Sequence, residues 1–162
     1  MAKALLVDDA TNERTAKREI LYTAHATAGG GGREKGHSKT DDGKLDVELS
    51  TPKEMGGSGG EGTNPEQLFA TGYAACYLGA MRAAAGKQHK KLPAEATVSA
   101  EVGIGKRDDG EGFGLKVRLV AHVPGMDREE IKAIMDAAHI ICPYSHATRG
   151  NVEVSLVAGE KD

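Results

Sequence analysis

The chain has 162 residues, a net charge of −3 from 21 basic and 24 acidic side chains, and 4% aromatic residues with no Trp. That length suits one domain with a real core, and the well-mixed charge offers neither a nucleic-acid surface nor a polybasic membrane patch. No apolar run reaches membrane-spanning length and the N-terminus lacks the order of a signal peptide, so the expected compartment is the cytoplasm.

Residues 1–18 carry a short apolar patch followed by mixed charges and read as a loosely attached arm, leaving 19–162 as a single domain. Ile20, Tyr22, Ala24 and Ala26 alternate with polar neighbours as in a half-buried strand. Four glycines and Arg33 follow, and Glu34 to Thr40 reads as a hairpin partner ending at an Asp42-Gly43 turn. "LDVEL" alternates strictly, placing Leu45, Val47 and Leu49 inward. After a glycine-rich loop, "TNPEQ" opens a helix: Thr63 or Asn64 can cap it, Pro65 suits its first turn, and Glu66 completes a capping box if Thr63 is the cap. The helix runs through Ala-rich sequence to about Ala85, ends at Gly86, and is apolar nearly all round, so it should be central and buried. Val98, Ala100, Val102 and Ile104 form a fourth strand, and Leu115 to Val123 a fifth. A second helix follows, capped by Asp127, with Ile131, Ile134, Met135, Ala138 and Cys142 on one stripe and Pro143 as its stop. "NVEVSLV" is the last strand. The order βββ-α-ββ-α-β is an α+β arrangement of sheets covered by helices. With 22 Gly and few aromatics the core must be mostly aliphatic and thin for a monomer, which favours association.

The two cysteines are the chemistry-bearing residues. Each alone reads as a small buried hydrophobe, and a structural disulfide is not expected where the compartment keeps thiols reduced. Cys142, however, ends an apolar stripe just before the chain turns, where a sulfur is held on a rigid element beside one that can move. Cys76 sits about three turns into the first helix, too far for the helix N-terminus to lower its pKa, and burial among Ala, Phe69 and Tyr73 raises it. A reactive thiolate there needs a cation from elsewhere. Arg33, presented by permissive glycine backbone, stays charged when desolvated and is the candidate.

"GTNPEQLFATGYAACY" around Cys76 and "CPYSHATRGNVEV" from Cys142 closely resemble the organic hydroperoxide resistance (Ohr) proteins of the OsmC/Ohr superfamily. "LYTAHAT" followed by "GGR", and "LDVELSTPKEMGGSGG", resemble the Ohr branch rather than OsmC itself. The resemblance covers roughly residues 20–157 and implies a cysteine-based peroxidase, an antioxidant oxidoreductase of the oxidative stress response. In that reading Cys76 attacks an organic hydroperoxide and becomes a sulfenic acid, and Cys142 resolves it as an intramolecular disulfide. Arg33 stabilises the thiolate and the developing charge, and Glu66 orients Arg33. It further implies an intertwined homodimer wrapped around two central helices, sites at its interface, no metal or bound cofactor, and recycling by dihydrolipoyl groups of a lipoylated protein.

One argument from the residues adds to this. Ten residues separate Glu66 from Cys76, about 15 Å along one straight helix, so a single guanidinium cannot touch both in one chain. Arg33 and Glu66 are therefore expected from one subunit and the cysteines from the other. Phe69 and Tyr73 share the helix face of Cys76. With Leu68, Met81, Phe113 or Ile141 they form an expected apolar pocket that favours alkyl or fatty-acid hydroperoxides over hydrogen peroxide, although each of them can equally be plain core.

Two features depart from the family pattern: four glycines before Arg33 where a short pair is usual, and His146 where a small amide residue is commoner. A zinc site from His139, Cys142 and His146 with Cys76 is opposed by Pro143, which turns the chain before His146. A thiol-based sensor lacks a DNA-reading element, which leaves a lipid-binding module as the non-enzymatic alternative; many-fold turnover with a dithiol separates an enzyme from either.

Overall fold

A computed structural model describes residues 18–159. Residues 1–17 of the expected N-terminal arm lie outside the described residues. Among the described residues, two three-stranded sheets and three α-helices, with a short 3-10 turn at Lys53–Met55, make up the α+β architecture. The first sheet is an antiparallel meander of β1 (Ala26–Gly30), β2 (Gly36–Thr40) and β3 (Asp46–Glu48). β1 begins later than the alternation from Ile20 suggests: Ile20, Leu21 and Tyr22 stand exposed outside any strand, with no layer over them in the single chain. Leu49 bridges to Thr63, and the Thr63 N–H donates to the Glu48 carbonyl at 2.9 Å, which ties this sheet to the start of the first helix.

That helix, α1 (Pro65–Lys87), is capped by Asn64, whose side chain accepts from the Gln67 N–H. Asn64 and not Thr63 is thus the cap, and Glu66 is released from a capping box for other use. Pro65 fills the first position, where its missing N–H costs nothing. The expectation of a helix buried all round is corrected in the single chain. Tyr73, Tyr77, Ala80, Met81, Ala84 and Ala85 face the core, while Thr71, Ala75, Gly79 and Ala83 are exposed. Small residues give the opposite face its uniform hydropathy without a layer to cover it.

The second sheet has the order β4-β5-β6, with β4 (Thr97–Lys106) antiparallel to β5 (Phe113–His122) and β5 parallel to β6 (Glu153–Ala158). The parallel pair requires a crossover, which α2 (Arg128–Ile141) and α3 (Pro143–Thr148) supply. Asp127 caps α2 by accepting from the Glu130 N–H. α3 was not foreseen: Pro143 ends α2 but also serves as the first residue of a new turn, since proline is favoured there. α1 lies against β4 and α2. Between these layers Tyr73, Tyr77, Met81, Val117, Leu119, Ile134 and Met135 build the centre of the core. No helix among the described residues is long and apolar enough to cross a membrane.

Candidate active site

Cys76 lies on α1, half-buried, and Cys142 lies at the junction of α2 and α3 with no exposed surface. α2 carries Cys142 at the end of its buried stripe, and α1 packs directly against α2, so the two sulfurs meet 3.6 Å apart as free thiols. A disulfide needs about 2.05 Å. Burial pushes the Cys76 thiol above its ordinary pKa, the Tyr144 backbone N–H directed at its sulfur opposes that rise, and neighbouring Cys142 adds to it. In the single chain Cys76 is therefore a thiol placed beside a partner sulfur, and no cation among the described residues lowers its pKa.

Arg33 stands in the β1–β2 loop, where Gly30 and Gly32 adopt φ of 66° and 58°, a region that side chains with a Cβ disfavour. Its guanidinium forms a bidentate pair with Glu66: Nη1 donates to Oε2 at 2.8 Å and Nη2 to Oε1 at 2.9 Å. Nη1 also approaches Met55 Sδ at 3.8 Å, and Thr51 Oγ1 donates to the Arg33 carbonyl at 3.3 Å. Glu66 sits in the first turn of α1, where the helix dipole favours a carboxylate. The hydrogen bond from Arg33 holds the Glu66 carboxyl below the usual carboxylate range, and Glu66 in turn raises Arg33. α1 runs without interruption from Pro65 to Lys87, so the distance argument applies: one chain brings together Arg33 with Glu66 and Cys76 with Cys142, as two separate halves.

The apolar surroundings sort differently from the expected pocket. Phe69, Tyr73 and Tyr144 form an aromatic cluster, with centroids 5.9 Å apart for Phe69–Tyr73, 5.8 Å for Phe69–Tyr144 and 5.5 Å for Tyr73–Tyr144. Tyr144 was missed because it follows a helix-stopping proline, where no periodicity marks it. Tyr73 and Met81 have no exposed surface and belong to the core, so neither lines an open pocket in this chain. Phe113 is 59% exposed at the end of β5 opposite Lys106, far along the hairpin. Ile141 is exposed at the end of α2, and Leu68 is half-buried. Beside the Arg33–Glu66 pair a cleft of about 430 Å³ is walled by Met55, Ala70, Ala100, Val102 and Ile104. A larger groove of about 810 Å³ under the distal β4–β5 hairpin contains neither cysteine. The exposed His146 ring faces Arg18 at 3.1 Å. Among the described residues no group of three or more His, Cys, Asp or Glu is placed to hold a metal ion.

The family model for OsmC-like protein matches residues 57–157, which include both cysteines and Glu66. The chain belongs to the OsmC-like family. Relatives place it on the Ohr side of that family. It is 54% identical over 138 residues to the organic hydroperoxide resistance protein of Xanthomonas axonopodis pv. citri (strain 306), covering 85% of this chain and 94% of that one. It is 44% identical over 136 residues to the organic hydroperoxide resistance protein OhrB of Bacillus subtilis (strain 168), covering 84% and 96%. Among solved structures, an organic hydroperoxide resistance protein from Elizabethkingia anophelis superposes with a TM-score of 0.81 at 45% identity, covering 89% of this chain and 100% of that one. The OsmC/Ohr fold is thus shared over nearly the whole described chain.

Proposed function

We propose that this member of the OsmC/Ohr family is a cysteine-based peroxidase that reduces organic hydroperoxides to alcohols. The observation that carries the reading is the Cys76–Cys142 pair, 3.6 Å apart on two packed helices. The names of its relatives support the substrate class.

The Cys76 thiolate attacks the terminal oxygen of the hydroperoxide. The O–O bond breaks, the alkoxide takes a proton to leave as alcohol, and Cys76 becomes a sulfenic acid. Cys142 then attacks the Cys76 sulfur, forming the disulfide and releasing water. An external dithiol, of dihydrolipoyl type on a lipoylated protein, reduces the disulfide and takes up the oxidising equivalents. No bound cofactor or metal takes part. The exposed apolar surface at Ile141 and the aromatic pair Phe69 and Tyr144 support a preference for substrates with a carbon tail.

The active species is a homodimer in which Arg33 and Glu66 of one subunit complete the cysteine site of the other. The fixed Arg33–Glu66 pair, the uninterrupted α1 and the uncovered small-residue face of α1 support this reading. Mixed dimers of Glu66→Ala and Cys76→Ser chains test it: both parent homodimers are inactive, and each hybrid regains one working site. No recovery in the hybrids sinks the shared site. Turnover tests the activity itself, since an enzyme consumes many equivalents of cumene hydroperoxide with a dithiol present, whereas a sensor or binder stops at one.

A further inference from the structure

Behind the cysteines runs a buried polar chain that none of these steps uses. Tyr73 lies on α1 one turn before Cys76, and its hydroxyl is 2.9 Å from Ser145 Oγ and 3.2 Å from Thr148 Oγ1. Ser145 Oγ is also 2.9 Å from His139 Nδ1, and the Thr148 hydroxyl donates to the Ser145 carbonyl at 3.2 Å. Ser145 and Thr148 are 0% and 4% exposed.

Each hydroxyl has one proton to give and can also accept, and a carbonyl only accepts. The Ser145 carbonyl also accepts from the Arg149 N–H at 3.0 Å. Every member of the chain is therefore paired whether the protons run from His139 Nδ1 toward Thr148 or from Thr148 toward His139 Nδ1.

We propose that His139, Ser145, Tyr73 and Thr148 form a positioning clamp that holds the Cys142 segment against the Cys76 helix, within a short closing movement of the disulfide. α3 has six residues, too few to hold itself as a helix. Its buried residues are Ser145 and Thr148, both hydroxyl-bearing, so what anchors its buried side is the hydroxyl of Tyr73. Cys142 is the extended residue between α2 and α3, with φ −69° and ψ 125°. From 3.6 Å its sulfur has only about 1.5 Å to close before bonding, and the clamp keeps the gap that small. The clamp deepens the peroxidase reading of the same site and rests on it.

The test uses the reduced full-length protein with two oxidants. Cumene hydroperoxide probes the peroxidase chemistry; diamide, which takes two electrons and two protons from a thiol pair, needs none of it. Ser145→Ala is expected to slow Cys76–Cys142 disulfide formation about tenfold with either oxidant, the loss of roughly one buried hydrogen bond. Dimedone-trapped sulfenic acid at Cys76 should still form at the wild-type rate with the hydroperoxide. Tyr73→Phe, which keeps the ring, should slow the disulfide step alike, whereas His139→Asn, which keeps a hydrogen-bonding group near Nδ1, should restore most of the rate lost in His139→Ala. Unchanged disulfide rates in both Ser145→Ala and Tyr73→Phe overturn the clamp. A wild type that forms the disulfide with diamide but ignores the hydroperoxide overturns the peroxidase reading and leaves the clamp intact. Proton NMR of the wild type supplies a readout independent of any variant's folding: the buried Tyr73 hydroxyl proton should exchange with water slowly enough to be observed, and a rapidly exchanging hydroxyl overturns the proposal.

Discussion

Replacing Glu66 by Gln removes one charge while keeping the side-chain length and one acceptor. In the native chain two contacts, 2.8 and 2.9 Å, fix the Arg33 guanidinium in one orientation. Hydrogen bonds to charged groups contribute about 1.5–3 kcal/mol each. Arg33 is 37% exposed, however, and water and salt screen the pair, so a loss of about 1–2 kcal/mol is the appropriate allowance. That corresponds to roughly a 5- to 30-fold fall in the population of correctly held guanidinium. The loop does not compensate, because Gly30 and Gly32 leave its backbone free to take other conformations. The assay is stopped-flow measurement of Cys76 oxidation by cumene hydroperoxide, with thermal unfolding measured in parallel. The rate constant should fall roughly 5- to 30-fold while the unfolding midpoint moves by only a few degrees. The pH dependence follows from the depressed Glu66 pKa. The ion pair is fully present above the unfolded carboxylate value of about 4.3 and is lost as pH falls through the lower folded value. The ratio of wild-type to variant rates should therefore hold steady from neutral pH down to about 5 and shrink only in stronger acid. A Glu66→Gln rate within about twofold of wild type would mean that Glu66 does not hold the Arg33 guanidinium for attack by Cys76.

Arg33→Ala should raise the pH at which Cys76 ionises, because burial and the neighbouring Cys142 then push the thiol upward with no guanidinium to oppose them; thiolate absorbance shows this, and an unchanged titration contradicts a shared site. Tyr77→Phe removes a buried 2.7 Å hydrogen bond to the Met135 carbonyl, which lies within α2. It should cost about 0.5–1.5 kcal/mol, read as about 2–4 °C per kcal/mol in thermal unfolding, and an unshifted midpoint counts against the assigned core. Gly72→Ala places a Cβ 2.8 Å from the Tyr144 hydroxyl and 3.3 Å from its ring. Although alanine favours a helix by about 1 kcal/mol, the displaced Tyr144 should slow Cys76–Cys142 disulfide formation severalfold, and a rate at or above wild type shows that packing of Tyr144 against α1 does not govern that step.

Long elements with strong periodicity were readable in the sequence. The stripe from Ile131 to Cys142 faces the core in the order expected, and Asp127 caps its helix. The β4–β5 alternation gives two ten-residue strands. What resisted reading was short or set by distant packing. α3 is too brief to show a period, and Pro143 reads equally as a stop or a start. Ile20 and Tyr22 alternate well, but alternation registers hydropathy, and no layer covers them in the single chain. Met81 and Phe113 look alike as large apolar residues, yet one lies in the core and the other at an exposed hairpin end. The Arg33–Glu66 pair was readable only through the family motif, since 33 residues separate its members. The His139–Ser145–Tyr73 chain has no such motif signal, because it exists only once α1 and α3 are packed.

Peptide mapping under non-reducing conditions decides whether Cys76 and Cys142 act as a peroxidase pair. Reduced protein receives one equivalent of cumene hydroperoxide or, in parallel, hydrogen peroxide, and the sulfur products are identified by mass spectrometry. A Cys76–Cys142 disulfide within one chain is expected, formed rapidly from the organic peroxide and more slowly from hydrogen peroxide. Two thiols left free after exposure to the organic peroxide would contradict that role.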